Sequence, residues 1–454
     1  MTEPNRPING VMSHLRAPIY NRAYALILSS ASTAVLGLLY WTLAARLYSA
    51  HDVGVNAALI SSMMFLSYLS QLSLAGALTR FIPTAGRATT KLILGSYGAS
   101  LLISAAVASV FVLGIRIWAP EVRPLVDSPA AMAWFLAATM TWSLFALQDA
   151  VLTGLRRTVW VPIENTIFAA TKVLLLVALA GSLTGAGIYV SWTVPAALAI
   201  VPINIMIFRW FLPSHVFHHR DTEPEGGVAL IGRYLASDFG GSLLVTASTA
   251  LLPLIVLATV GAKASAYYYI AWTVAYSLQV FSLSLSTSLT VEGAAHRSEL
   301  GSATRRMLRL LVGLQLPLVG VITIFAPLIL QVFGSQYSDE GATLLRLLAL
   351  GVLPHGVNAV CLGVARVRRQ LRFLFAMQAG QAVLFVALAV VLLPRMGIAG
   401  VGVAFLGGQL AVALAAFVSQ IAPLLRAGTA QSPADDETVP RLRDAGASAS
   451  EGPR

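Results

Sequence analysis

Charge is scarce in this sequence: Asp, Glu, Lys and Arg make up 11% of its 454 residues, against roughly a quarter in an ordinary soluble domain. With 57% hydrophobic residues, that scarcity excludes a water-soluble globule. Cysteine is nearly absent as well. The single Cys361 cannot close an intrachain disulfide, and no Cys/His set has the spacing of a metal site, so neither redox chemistry nor a bound metal is expected. There is no glycine-rich loop ending in Gly-Lys-Ser/Thr to cradle nucleotide phosphates, which excludes direct use of ATP. Met1–Tyr20 has Pro4, Pro7, Pro18, Arg6 and Arg16 but no short apolar core before a small-residue cleavage site. It reads as a cytosolic leader, residues 1–19, and not as a cleaved signal peptide.

What is present is apolar length. The runs Ala23–Ala45, Leu92–Arg116, Lys172–Phe208 and Phe373–Leu393 carry almost no charge, and each suffices for the roughly 20 residues that cross a bilayer. Breaks at Gly, Pro and charge clusters predict helices near 20–45, 54–79, 91–118, 131–153, 159–181 and 187–211. A second set is predicted near 236–260, 266–290, 305–332, 340–363, 372–393 and 398–425. The expected fold class is therefore an all-α polytopic membrane protein of about twelve transmembrane helices.

The net charge of +11 would suggest nucleic acid in a soluble protein, but here its distribution explains it. With the N-terminus inside, alternate loops named as outside hold only Arg46, Arg116, Arg123, Lys263 and Arg395. Lys172 and Arg346 fall within spans, and every other basic residue falls on the inside. A missed or invented span would swap the parity of all later loops, so the positive-inside rule supports twelve spans with both termini cytosolic in an inner or plasma membrane. The longest internal hydrophilic segment, 212–233, follows the sixth span. It divides an N-lobe, 20–211, from a C-lobe, 234–425. Ser49–Ile60 faintly echoes Gly261–Trp272, as expected of repeated halves with a substrate path between them. Residues 426–454, rich in Gly, Ala, Ser, Pro, Asp and Glu, read as a disordered cytosolic tail.

Several stretches carry a family likeness: Ala44-Ala45-Arg46-Leu47-Tyr48 with Asp52-Val53-Gly54; Leu74-Ala75-Gly76-Ala77-Leu78-Thr79-Arg80-Phe81; Ala266-Tyr267-Tyr268-Tyr269-Ile270-Ala271; Phe333-Gly334-Ser335-Gln336-Tyr337; and Gly397-Ile398-Ala399-Gly400-Val401-Gly402. In this order the chain resembles the polysaccharide exporters and lipid-linked oligosaccharide flippases of the multidrug/oligosaccharidyl-lipid/polysaccharide superfamily, over roughly residues 20–425. The resemblance implies two six-helix lobes in a V-shaped, MATE-like architecture. It also implies an alternating-access carrier, not an enzyme, that turns a polyprenyl-pyrophosphate-linked glycan from the inner to the outer leaflet. Expected partners are that glycan lipid, the bilayer, a proton or sodium ion, and envelope glycosyltransferases or a polymerase. No cofactor and no nucleic acid are expected.

Against this background the charges inside spans become candidates, because a charge at the bilayer centre costs about 2.5–3.5 kcal/mol on insertion scales. Lys172, in the middle of the fifth span, either lines a central cavity and attracts pyrophosphate or an acidic sugar, or pairs with an acid such as Glu164. Arg346 is a second cationic point or an anchor at the outer headgroups. Arg46 is a residue of the outer cavity mouth or a helix cap. Arg80 and Arg233 stand at cytosolic ends where a phosphate would first arrive and suit it bidentately, or simply follow the inside bias. Glu164, Asp149 and Asp238 are candidates for ion coupling, with ordinary interfacial roles as the alternative. Gln71, Asn165, Asn204, Gln279, Gln315, Asn358, Gln378 and Gln381 either line a sugar-compatible path or bond neighbouring helices. Tyr267, Tyr268, Tyr269 and Trp272 either stack on sugars or belong to the interfacial belt. Gly400, Ala404 and Gly408 predict close packing of the last helix. The nearest rival function is a cation-coupled multidrug exporter, for which a deep acid in the N-lobe would speak; a non-transporting scaffold would leave Lys172 dispensable.

Overall fold

The computed structural model describes residues 35–118, 120–122, 126–219, 243–295 and 300–424. The leader, the start of the first span, Arg233, Asp238, most of the expected linker and the tail lie outside the described residues. The regular structure described is entirely helical. Twelve long helices follow one another: α1 (Val35–Leu47), α2 (Ala50–Gln71), α3 (Thr89–Trp118), α4 (Pro129–Gly154), α5 (Trp160–Leu179), α6 (Gly187–His218), α7 (Leu243–Val260), α8 (Ala262–Ala295), α9 (Leu300–Gln331), α10 (Ser335–Val367), α11 (Leu371–Met396) and α12 (Ile398–Leu424). All but α1 and α8 are long and apolar enough to cross a membrane by length and composition.

Local chemistry sets the boundaries. Ser49 caps α2, accepting from the Asp52 amide at 3.1 Å while its hydroxyl donates to Asp52 Oδ2 at 2.6 Å, which satisfies a donor that the first turn leaves open. Ser128 caps α4 in the same way, with Pro129 at the position where its missing N–H costs nothing. Leu72 and Ser73, both at positive φ, break α2 from a short helix, Leu74–Phe81. The sixth helix differs from its expected end near 211: it runs to His218, through a wide turn at Ile207–Phe211. That turn precedes Pro213, and an equivalent wide turn at Leu311–Gln315 precedes Pro317, so the ladder is reset where proline supplies no donor.

A repeat far clearer than the sequence echo appears where α4 and α10 stop. Arg156 and Arg369 both take φ near +60° (59° and 56°). The amide of Arg157 reaches Leu152 O at 2.8 Å and that of Gln370 reaches Ala365 O at 3.0 Å. The preceding amides close onto Thr153 and Arg366, so the fourth helix of each half ends in the same left-handed cap.

The loops and helix ends divide into a basic end, carrying Arg80, Arg87, Lys91, Arg156, Arg157, Arg366, Arg368, Arg369 and Arg372, and an opposite end with Arg46, Arg116, Lys263 and Arg395. The cores follow that division. One large apolar core at the opposite end draws on both halves, joining residues such as Leu59 and Tyr189 to Tyr268, Leu344 and Phe405. Towards the basic end it gives way to two separate clusters. One is Leu78, Ile82, Leu147 and Val151 in the first half; the other is Leu289, Leu311, Val364 and Met377 in the second. The halves are joined at one end and have private cores at the other.

The last helix packs closely, as its small residues predict. A Cβ on Gly400 would stand 2.6 Å from Leu392 O, and one on Gly402 2.7 Å from Leu347 Cβ. Gly400→Val is expected to destabilise the α11–α12 hairpin by about 1–3 kcal/mol, read as a lowered thermal midpoint of the detergent-solubilised protein; an unchanged midpoint would refute this packing.

Candidate functional site

Between the halves lies a cavity of about 510 Å³. Its walls are Trp41 from α1; Ser61, Met64, Phe65, Tyr68 and Gln71 from α2; Trp142 and Ala146 from α4; Thr246, Thr249, Ala250 and Pro253 from α7; and Tyr269, Trp272, Thr273 and Tyr276 from α8. Among the described residues the lining combines aromatic faces with hydroxyls and one amide, and carries no ionisable acid or base other than tyrosine. On the far side of the α2–α7 wall is an apolar groove of about 640 Å³, lined by Leu66, Leu69, Val107, Val110, Phe111, Leu251, Leu254, Ile255 and their neighbours. Successive faces of α2 and α7 thus separate a polar, aromatic space from a greasy one.

The cavity is shut at the end opposite the basic loops. Arg46 donates from Nε to Val332 O at 2.9 Å and from Nη2 to Gln331 O at 2.8 Å, binding the carbonyl end of α9. Beside it, Gly54 of α2 lies directly on the backbone of α8: a Cβ there would overlap Ala262 O and stand 3.0 Å from the Ala266 amide nitrogen. The echoed segments of the two halves are therefore the surfaces that meet. Trp41 against Tyr269, with centroids 4.5 Å apart, forms the inner layer of the seal.

Lys172 does not line the cavity. It is 5% exposed, and its Nζ sits 3.7 Å from the centroid of Trp192, 4.8 Å from Tyr40 and 5.1 Å from Phe168. The face of an aromatic ring attracts a cation, so three rings from α1, α5 and α6 surround the ammonium in place of either the cavity or the alternative acidic partner. Glu164 is not that partner; it lies eight residues, about 12 Å of helix, towards the basic end. The cage nonetheless abuts the cavity, since Trp192 packs on the lining residues Trp41 and Trp142. Tyr40, donating to Ile188 O at 2.8 Å, holds its ring in place.

The acids are deeper than an interfacial reading of the sequence allows. Glu164 is 3% exposed and its Oε1 accepts from Gln148 Nε2. Asp149 Oδ2 accepts from Asn165 Nδ2 at 3.1 Å, and Asn204 Nδ2 donates to Gln148 Oε1 at 3.0 Å. The remaining candidates disperse. Arg346 is exposed and donates to Thr323 O at 3.2 Å, tying α10 to α9. Arg80 is exposed at the basic end with its guanidinium 5.5 Å from the Phe81 centroid. Of the amides, Gln71 reaches the cavity, whereas Gln315 donates to Ser282 Oγ at 2.8 Å and Asn358 to Gln409 Oε1 at 2.8 Å, so these two bond helices. Of the tyrosines, Tyr269 faces the cavity, Tyr268 is fully buried and Tyr267 packs edge-on against Tyr337. His215 stacks on His219 and engages Ile82 O at 3.1 Å; among the described residues no group of His, Cys, Asp and Glu could hold a metal ion.

Comparison with known proteins agrees with this architecture. The MatE family model matches residues 239–391, from the start of α7 into α11. No curated protein matches by sequence. Among solved structures, a multidrug resistance MATE family transporter of the MOP superfamily in an inward-facing conformation is similar at a TM-score of 0.66 and 14% identity, covering 88% of this chain and 96% of that one. The lipid II flippase MurJ in an inward closed conformation is similar at 0.67 and 14%, covering 87% of each chain. A MOP superfamily transporter from Pyrococcus furiosus, described as having a binding pocket of reverse polarity, is similar at 0.59 and 13%, covering 87% of this chain and 93% of that one. The all-helical, MATE-like fold is therefore established.

Proposed function

We propose that this protein, folded as those carriers are, moves a polyprenyl-pyrophosphate-linked oligosaccharide from the inner to the outer leaflet of the cell membrane by alternating access. The observation that carries the reading is the pairing of two unlike spaces across α2 and α7. An aromatic, hydroxyl-lined cavity suits stacked sugars, and the apolar groove beside it suits a lipid tail. A buried cation behind the cavity's aromatic wall, with no carboxylate among the described lining residues, favours an anionic cargo. The basic end faces the cytosol by the positive-inside bias, so the described conformation, sealed at the opposite end, offers its cavity to the leaflet where such lipids are assembled.

The alternative of cation-coupled drug export gains one observation, the burial of Glu164 and of the Asp149 Oδ1 atom in the first half. These acids lie outside the cavity lining and offer nothing to an organic cation there.

Depletion of the protein in its host is expected to accumulate lipid-linked oligosaccharide in the inner leaflet, identified by mass analysis of the extracted polyprenyl lipids. An unchanged lipid profile after full depletion, with organic cations moved instead by the purified protein, would replace this reading with the drug-export one.

A further inference from the structure

Between the entry to α3 and the end of α6 the first half carries a crevice of about 580 Å³, within the roughly 300–1,000 Å³ of sites that hold small molecules. One wall offers Arg87 and Thr90; the other offers Phe208, Leu212, Val216 and Phe217. The crevice exists because α6 runs on past its wide turn to His218. Those last two turns, Leu212–His218, are tied down where His215 engages Ile82 O at 3.1 Å. Neither α3 nor α6 lines the cavity. The apolar groove meets α3 only from Ala106 onward, about 24 Å of helix beyond Thr90. The crevice therefore stands apart from the proposed cargo path.

Polarity is graded along this crevice. Arg87 is exposed at the basic rim, and among the described residues its guanidinium has no hydrogen bond, ion pair or ring partner. By contrast, Arg80 and Arg157 of the same end lie over Phe81 and Phe211. The Thr90 hydroxyl is likewise without a described partner, while that of Thr89 donates to Gly86 O at 2.8 Å. Lys91, also exposed, adds a second charge beside Thr90. Further in, the walls turn apolar: Leu94 stands exposed one turn beyond Thr90 on α3, and Phe208 one turn before Leu212 on α6. Trp210 and Phe217 are both exposed, the placing of aromatics expected at a headgroup boundary. Neither Arg80–Leu94 nor Ile205–His219 contains an acid. The complement of such a surface has an anionic, oxygen-rich head and a long apolar body, and the inner leaflet is where anionic lipids meet basic segments.

We propose that this crevice binds an anionic phospholipid of the inner leaflet, its phosphate held by Arg87 and the Thr90 hydroxyl and its acyl chain laid along Leu212 and Phe208. A guanidinium fork matches two phosphate oxygens, and the hydroxyl can donate to a third. A net negative head answers Arg87 and Lys91 together, whereas a zwitterionic head carries its own ammonium and answers them less well. The bound lipid joins the entry of α3 to the end of α6, in parallel with the contact of His215 on Ile82 O. Filled, the site holds the basic rim of the first half as one piece. The inference depends on the basic end facing the inner leaflet and not on the identity of the cargo.

The test reads lipid binding on the full chain, by native mass spectrometry and by thermal unfolding in nanodiscs of phosphatidylcholine with and without one third phosphatidylglycerol. Phosphatidylglycerol should bind in preference to phosphatidylcholine and raise the thermal midpoint. Arg87→Gln should weaken that binding about fivefold, the equivalent of about 1 kcal/mol for one basic residue at an anionic surface. Thr90→Val should weaken it less, and both variants should lose much of the rise in midpoint. Arg87 and Thr90 are not buried, so both variants are expected to fold. Arg372→Gln removes an exposed charge at the basic end of the second half and should leave binding and midpoint near those of the parent. Equal losses in Arg372→Gln and Arg87→Gln, or no preference for phosphatidylglycerol, would overturn the site. So would a midpoint that Arg87→Gln lowers equally with and without phosphatidylglycerol, because the guanidinium would then be answered by the protein itself, as by Asp221 or Glu223 after α6 in sequence. Phosphatidylglycerol bound at Arg87 with an unchanged lipid profile on depletion would keep the site and discard the glycan-lipid cargo.

Discussion

Gly54→Leu is expected to abolish the proposed transport while leaving the protein inserted at its ordinary level. The Cβ alone would overlap the Ala262 carbonyl oxygen and approach the Ala266 nitrogen at 3.0 Å, and both obstacles are backbone atoms that cannot rotate away. Overpacking of this kind costs about 1–3 kcal/mol. In the described conformation α2 and α8 touch at Gly54 at the closed end, so the cost is expected to fall on states closed opposite the basic loops. A bias of that size moves a two-state equilibrium by about 5- to 150-fold, so the variant should be trapped open at that end. A cysteine placed at Thr273, in the cavity lining, reports the change: it should react with an impermeant maleimide from the basic side in the parent and from the opposite side in the variant. The sole native cysteine, Cys361, is fully buried and gives little background. Gly54→Ala should show a weaker form of the same shift, since even one methyl meets the carbonyl. An unchanged labelling side with normal transport would remove Gly54 from the seal. Arg46→Gln should loosen the same end less, because its bonds to Gln331 and Val332 are exposed to solvent.

The twelve helices were legible because apolar length and loop charge are local properties that burial in a bilayer imposes directly. Lys172 was legible for the same reason: one ammonium in a long apolar run. Its surroundings were not. Phe168 lies one turn away in sequence, but Tyr40 and Trp192 reach the lysine only through the packing of α1 and α6, so the sequence offers a cavity or an acid where three rings stand. Glu164 was read too shallow because distance from a helix end measures depth along the membrane normal and says nothing about depth within a lobe. A signal was available in Glu164, Phe168 and Lys172, which recur every fourth residue and share one face of α5; since Lys172 faces inward, Glu164 had to as well. Gly54 was seen as part of a family pattern, yet its contact with Ala262 needed both echoed segments to be placed face to face. The cavity itself was least legible, for Trp41, Trp142 and Trp272 come from three helices and look individually like ordinary membrane aromatics.

Lys172→Met is expected to separate function from stability. Methionine keeps most of the lysine's length and removes its charge, leaving the cage of Trp192, Tyr40 and Phe168 to pack on a thioether, a contact that aromatic rings favour. A desolvated cation is costly even when rings partly offset the cost, so the thermal midpoint should stay level or rise. Transport should fall, because the ammonium is the positive charge behind the Trp41–Trp142 wall. For an anionic group about 8 Å from Nζ, an effective dielectric of about 20 gives an attraction of about 2 kcal/mol, which corresponds to roughly a thirtyfold loss of affinity when it is removed. If the proposed cargo is right, the lipid-linked glycan should therefore accumulate in the inner leaflet of cells carrying only this variant, as is expected on depletion, despite normal amounts of folded protein. Trp192→Leu should act differently: it removes the nearest ring at 3.7 Å and leaves the charge less compensated, lowering stability as well as transport. If Lys172→Met instead lowers stability and leaves the lipid profile normal, the lysine serves packing alone, and the cavity has no cationic pull on its cargo.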